Sequence, residues 1–286
     1  MCWSCWSFGH VGRVAYVFIK LSTFSNFIKS LLYQLSQLKE MATVSEGRYS
    51  TASVAKSETA KSFAWEAPVP VNRFWDSISY CVSRNFLNNF SEQELERLPI
   101  DPNSSASDKE KLEHLLHLLQ EKLATEEAAT APKTLSEIDY ARWNRLSQAI
   151  YTMQSELGLP ESYDTIRLMV DKRPDKSNML PLHILADHLV KIGKYEEAEE
   201  TEKPVLAWMD GHERLGRDSP QAINARRIIA RALWKQGPSR RAEAEALIAE
   251  IREIIDGMGS GQFGVYQQEE RRLTDATIAA LEKEAQ

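Results

Sequence analysis

The segment Leu182–Glu200, LHILADHLVKIGKYEEAEE, joins two helix-compatible stretches through a glycine, and a weaker copy lies 44 residues on, where Gly237 precedes another helix-compatible stretch carrying Ala242. Each stretch has one apolar face, and a helix pair that cannot bury that face alone must stack on a neighbour of the same kind. This near-repeat constrains the fold more than any other feature of the chain. It calls for stacked helix pairs, and so for a surface that binds something.

The rest of the sequence agrees with an all-helical chain. The 12 Gly and 11 Pro among 286 residues gather where helices would stop, and no alternating strand pattern of useful length occurs. An apolar share of 43% supplies a core. Asn72–Phe90 places Phe74, Trp75, Ile78, Cys81, Val82, Phe86 and Leu87 on one helical stripe. Ser91 with Glu94 is a capping-box pattern for a short helix ending before Pro99. A third helix, about 107–123, carries Leu112, Leu115, Leu116, Leu118 and Leu119, and 125–133 reads as a linker. Ser136–Leu157 is the next helix, closed by Gly158-Leu-Pro160; its shorter partner runs from Pro160 to Val170, and Pro181 opens another. The Phe74–Leu87 and Leu112–Leu119 stripes read as intramolecular core, with homodimerisation as the alternative.

Four regions are expected: an atypical leader at 1–40, a flexible Ser/Thr/Ala/Lys tail at 41–65, a helical region at 66–130 and a helical repeat domain at 135–286. Residues 1–40 hold Arg13, Lys20, Lys29 and Lys39 but a single acid, Glu40. They read as a mitochondrial-type presequence, as a signal anchor, or as an over-extended start ahead of Met41. Lys20, Asn26 and Lys29 interrupt the apolar run that a spanning helix needs. Cys2-Trp-Ser-Cys5 lacks the second pair of ligands a zinc site requires, and three cysteines make no disulfide framework. A cytoplasmic location is expected, or a mitochondrial or membrane-anchored one if residues 1–40 act as a targeting segment. The remainder of the chain carries 31 Lys+Arg against 40 Asp+Glu, a balance that disfavours nucleic acid as a partner.

Residues 179–259 resemble tetratricopeptide repeats of the kinesin light-chain type, with a unit of about 42 residues. The resemblance rests on Leu182, Leu185, Ala186 and Leu189 in the first helix, on Gly193, Tyr195 and Ala198 at the turn and start of the second, and on the connector Leu215-Gly-Arg-Asp-Ser-Pro220. The second unit keeps Ile229, Ala230, Leu233, Gly237 and Ala242. It departs from the family at Arg226, which takes a large apolar position, and at Pro238-Ser-Arg, which replaces Lys-Tyr-Glu. Residues 136–175 are a candidate further unit and Val265–Glu284 a candidate capping helix.

The resemblance implies an all-α, right-handed α-solenoid of antiparallel helix pairs with a helical N-terminal extension. It also implies a groove lined by the first helix of each unit: His183, Asp187 and Lys191 from one, and Asn224, Arg227, Arg231 and Lys235 from the next. The last four, spaced 3, 4 and 4, form one polar stripe. Arg can grip a carboxylate through two parallel hydrogen bonds, so an acidic or C-terminal peptide of another protein is the expected partner, in an adaptor or assembly role. The opposing expectation is that these are solvated surface charges or pair with neighbouring Glu residues.

No enzyme motif appears. GxSxG, GKS/T, HExxH and paired CxxC are missing, and Gly257-Met-Gly-Ser-Gly261 follows a helix instead of linking strand to helix. His114 and His117 beside Glu113, and His183 before Asp187, lack third and fourth metal ligands nearby. The expectation is a non-catalytic protein with no metal or cofactor, an enzyme whose site is assembled only by the fold being the alternative.

Overall fold

A computed structural model describes residues 69–284. The expectations for the leader at 1–40 and for the tail at 41–65 lie outside the described residues. Within them the chain is all-helical, with no strand. Eleven α-helices follow in order: α1 Tyr80–Leu87, α2 Glu92–Leu95, α3 Asp108–Thr130, α4 Leu135–Ile138, α5 Tyr140–Glu156, α6 Glu161–Lys172, α7 Leu180–Lys191, α8 Tyr195–Gly211, α9 Pro220–Lys235, α10 Arg241–Gly257 and α11 Gln267–Glu284.

Local chemistry sets these boundaries, and three differ from expectation. The helix expected over Asn72–Phe90 shrinks to Tyr80–Leu87, because the Asn72 side chain accepts from the Phe74 and Trp75 amides and holds the segment before it in turns. The supposed linker at 125–133 is instead helical as far as Thr130; Arg142 holds Glu126 on that stretch through two hydrogen bonds of 2.8 and 2.7 Å. The single helix expected at Ser136–Leu157 is broken at Asp139, whose carboxylate accepts from the Arg142 amide and restarts the chain as α5. The capping boxes at Ser91/Glu94 and Ser107/Glu110 form, with both side-chain and backbone bonds made.

The apolar stripes of the N-terminal part meet one another. Phe74, Trp75, Ile78, Val82 and Phe86 bury against Leu115, Leu116, Leu118 and Leu119, and this cluster continues through Trp143, Leu146 and Ile150 into Leu185, Ala186 and Leu189. These stripes are intramolecular core. From α5 onward each helix packs on the next, while α7 also touches α9 and α9 touches α11. Further small apolar clusters lie beside it: Val205, Met209, Ala222 and Ala225 between α8 and α9; Ile229, Leu233, Trp234, Ala244 and Leu281 among α9, α10 and α11; and Ile223, Ile251, Ile255, Phe263 and Tyr266, against which Tyr80 and Cys81 of α1 pack.

The two glycine turns are related but unequal. Gly193 has φ +81°, its amide bonds to the Val190 carbonyl, and Lys194 N–H reaches back to the Leu189 carbonyl, which completes a Schellman motif. Gly237, at φ +108°, bonds to the Trp234 carbonyl. The next residue there is Pro238, which has no N–H to return, and the chain makes a 3₁₀ turn over Pro238–Arg240 before α10 begins. That delay shifts the register. Ala198, fourth residue of α8, is fully buried, and its counterpart as fourth residue of α10 is Ala244; Ala242 is exposed. The resemblance matches Ala242 to Ala198, but the residue that packs there is Ala244; Ala186 and Ala230, matched to each other in the first helices of the two units, are both buried.

Candidate functional site

His183, Asp187 and Lys191 follow one another by whole turns on α7, and Asn224, Arg227, Arg231 and Lys235 do the same on α9. Because α7 touches α9 and α9 touches α11, the two polar stripes run along the seams between alternate helices. The charges are largely answered from within the chain. Arg227 is 5% exposed and donates at 2.6 Å to Glu270 on α11, with Thr274 at 3.3 Å from the same nitrogen. Arg231 donates to Asp187 at 2.9 Å, and Lys191 stands 3.0 Å from the same carboxylate. Lys235 pairs with Glu284. The expectation that Arg227 lines an open groove is corrected: the side of α9 that carries it is covered by α11.

Three helices do share an open hollow. Tyr151, Thr152, Ser155 and Glu156 from α5, His183, Ile184, Asp187 and Lys191 from α7, and Asn224 from α9 line a cleft of about 190 Å³. It brings together four of the seven expected residues, His183, Asp187, Lys191 and Asn224, and leaves out Arg227, Arg231 and Lys235. Tyr151 and Ser155 were not expected. Lys191 is its most exposed cation, with Nζ 3.4 Å from Ser155 Oγ. Burial tends to raise the Asp187 carboxyl, but the charges of Lys191 and Arg231 outweigh burial and hold it below the usual carboxylate range. Burial pushes the Tyr151 phenol up, so this ring is a neutral hydroxyl in the cleft wall, 3.4 Å from His188 Nδ1.

Beneath the cleft lies a carboxylate that periodicity conceals. Glu202 shares the buried stripe of α8 with Ala198, Val205 and Met209, and its side chain is fully out of water. One oxygen lies 2.6 Å from His183 Nδ1; the other has no hydrogen-bond partner in the protein. Burial raises its pKa, and the His183 contact only partly opposes this. His183 Nε2 faces Asn224 Nδ2 at 3.1 Å, and Asn224 Oδ1 accepts from Arg227 at 3.4 Å. A polar chain thus runs Glu202–His183–Asn224–Arg227–Glu270 through α8, α7, α9 and α11. The signal for it was present in the sequence: a Glu at an apolar position of a helical stripe, once at Glu202 and again at Glu270 beside Thr274, Ile278 and Leu281.

Arg226, which departs from the apolar pattern of the repeats this segment resembles, is also buried. It donates twice to Asp210 on α8, at 3.0 and 2.7 Å, and once to Glu250 on α10, at 2.9 Å. Glu199 joins α8 to the second glycine turn through Arg240 and Gln236. Burial tends to raise its carboxyl, but the bonds from Arg240, Lys203 and Gln236 bring it down to about 2. Of the histidines weighed as ligands, His114 meets the Pro99 carbonyl and His117 meets Glu121. Among the described residues no group of three His, Cys, Asp or Glu side chains is placed to hold a metal ion, and no helix is long and apolar enough to cross a membrane. Comparison with protein-family models, curated proteins and solved structures finds no match to this chain.

Proposed function

We propose that the chain is a protein-binding scaffold, a short tetratricopeptide-like solenoid that takes a peptide segment of another protein on its α5–α7–α9 wall. One observation carries this reading: alternate helices, α5, α7 and α9, contribute to a single open cleft, as the first helices of stacked pairs do. The two Gly turns with positive φ, the buried Ala186 and Ala230, and the sequential packing from α5 to α11 support it further.

The acidic or C-terminal peptide remains the proposed class, but with a different anchor. Arg227, Arg231 and Lys235 already face Glu270, Asp187 and Glu284. Lys191 also stands 3.0 Å from Asp187, but it is half exposed in the cleft beside Ser155, and it is the cation that can meet a ligand carboxylate. The adaptor or assembly role follows from such capture.

Cross-linking tests this. A photoreactive residue at Thr152 or Glu156 is expected to capture a defined peptide of a partner, whereas the same group at the exposed Glu200 of α8 captures none of it. Lys191→Glu is expected to lower capture from Thr152 by tenfold or more. Equal capture from Glu200, or none from the cleft positions, would remove the proposed role.

A further inference from the structure

The polar chain under the cleft dictates where its protons sit. Arg227 has only donors, so the Asn224 atom that faces it at 3.4 Å is the carbonyl oxygen, and the Asn224 NH₂ is turned to His183 Nε2 at 3.1 Å. Nε2 must then be a bare acceptor. A neutral ring carries its one hydrogen on Nδ1 and donates it to Glu202 Oε1 at 2.6 Å. In this arrangement Glu202 is a carboxylate without water, with one oxygen that has no hydrogen-bond partner. Such a pair attracts a proton.

We propose that the His183–Glu202 pair takes up one proton, and that the loaded ring turns Asn224 aside so that His183 Nε2–H becomes a hydrogen-bond donor into the cleft.

The proton has two places to go. On the second Glu202 oxygen it would be a buried donor without an acceptor. On Nε2 it meets the Asn224 NH₂, two donors face to face, and the amide must move. His183 borders the open hollow, so water or a ligand oxygen can then accept from it. Turning the Asn224 amide over in place would set its NH₂ against the Arg227 guanidinium, so the side chain swings away instead. The titratable and charged groups around the ring's pocket are Tyr151 and Glu156 from α5 and Asp187 and Lys191 on α7, which line the cleft with it, Glu202 from α8, which bonds it, and Arg227 and Arg231 from α9, which pair with Glu270 of α11 and with Asp187. Glu202 stands within hydrogen-bond distance of the ring, whereas Arg227 reaches it only through Asn224. The consequence is a cleft whose preference for a carboxylate strengthens on proton uptake.

The inference rests on the same cleft as the proposed function, yet it is read on the free protein and can fail independently of peptide capture. Imidazole ¹⁵N NMR of the whole chain, with His183 assigned against His183→Gln, is expected to show the Nδ1–H tautomer at high pH. On acidification the ring becomes doubly protonated, and the Asn224 side-chain amide signals shift with the same midpoint. Asn224→Ala, which removes the opposing NH₂, is expected to move that midpoint to higher pH, and Glu202→Gln to lower pH. An Nε2–H tautomer at high pH, or an Asn224 amide that stays still while the Glu202 carboxyl carbon titrates, would overturn the proposal. Both results come from the unaltered protein, so they hold even if a variant fails to fold.

Discussion

Arg227 and Glu270 meet at 2.6 Å with both side chains almost wholly out of water. Neither charge could be left there alone: removing one partner of a buried pair typically costs about 3–5 kcal/mol, whereas replacing both with apolar groups is often neutral. Arg227→Met is therefore expected to lower unfolding free energy by about 3 kcal/mol or more, and Arg227→Met with Glu270→Leu to recover most of that loss, as measured by urea denaturation. A single variant as stable as the parent would mean that the pair is not buried as described. The same residues show what the sequence disclosed and what it hid. The spacing of Asn224, Arg227, Arg231 and Lys235 was enough to place them on one face of a helix. Which neighbour would cover that face is a tertiary fact, and its only trace in the sequence was a carboxylate, Glu270, on the otherwise apolar or neutral stripe of α11.

At the scale of the element, a missing amide hydrogen at Pro238 replaces a full Schellman turn with a 3₁₀ turn and moves the packing register of α10 by two residues. The residue pressed against α9 is then Ala244, and Ala242 is left in solvent. Ala244→Leu is expected to cost about 1–3 kcal/mol through overpacking, and Ala242→Leu to stay within about 0.5 kcal/mol of the parent. Thermal unfolding of the two variants checks this, and the reverse order would restore the 44-residue register. Helix identity was legible wherever an apolar stripe met a stop or start signal, as at Ser107, Gly158, Pro181 and Gly193. It failed where a polar side chain intervened: Asn72 holds turns ahead of α1, Asp139 divides α4 from α5, and Glu126, gripped by Arg142, sits on a polar helix end that composition alone reads as a linker.

For the whole molecule, the order of contacts sets how stability is distributed. The clusters that join α8 to α9 and α9 to α10 and α11 are small, whereas the cluster centred on α1, α3, α5, α6 and α7 is large and reaches α8 and α9 through the buried Ala198, Ile228 and Ala232. In a stack where each unit leans on its neighbours, stability is a sum of local terms and nearest-neighbour joints, so loss of an end is felt most by the adjoining unit. A chain ending at Gly261 lacks α11. It leaves Arg227 without Glu270, and it strips Phe263 and Tyr266 from Ile223, Ile251 and Ile255. Hydrogen exchange of that shortened chain is expected to show lost protection in α9 and α10, with α3 and α5 still protected close to their parent level. Exposed apolar surface at Ile229, Leu233 and Trp234 should also increase binding of a hydrophobic dye. A uniform loss of protection from α3 to α10 would instead describe one indivisible core. In that case α5, α7 and α9 would not be equivalent members of a series, and the proposal that their cleft seats a peptide would lose its structural support.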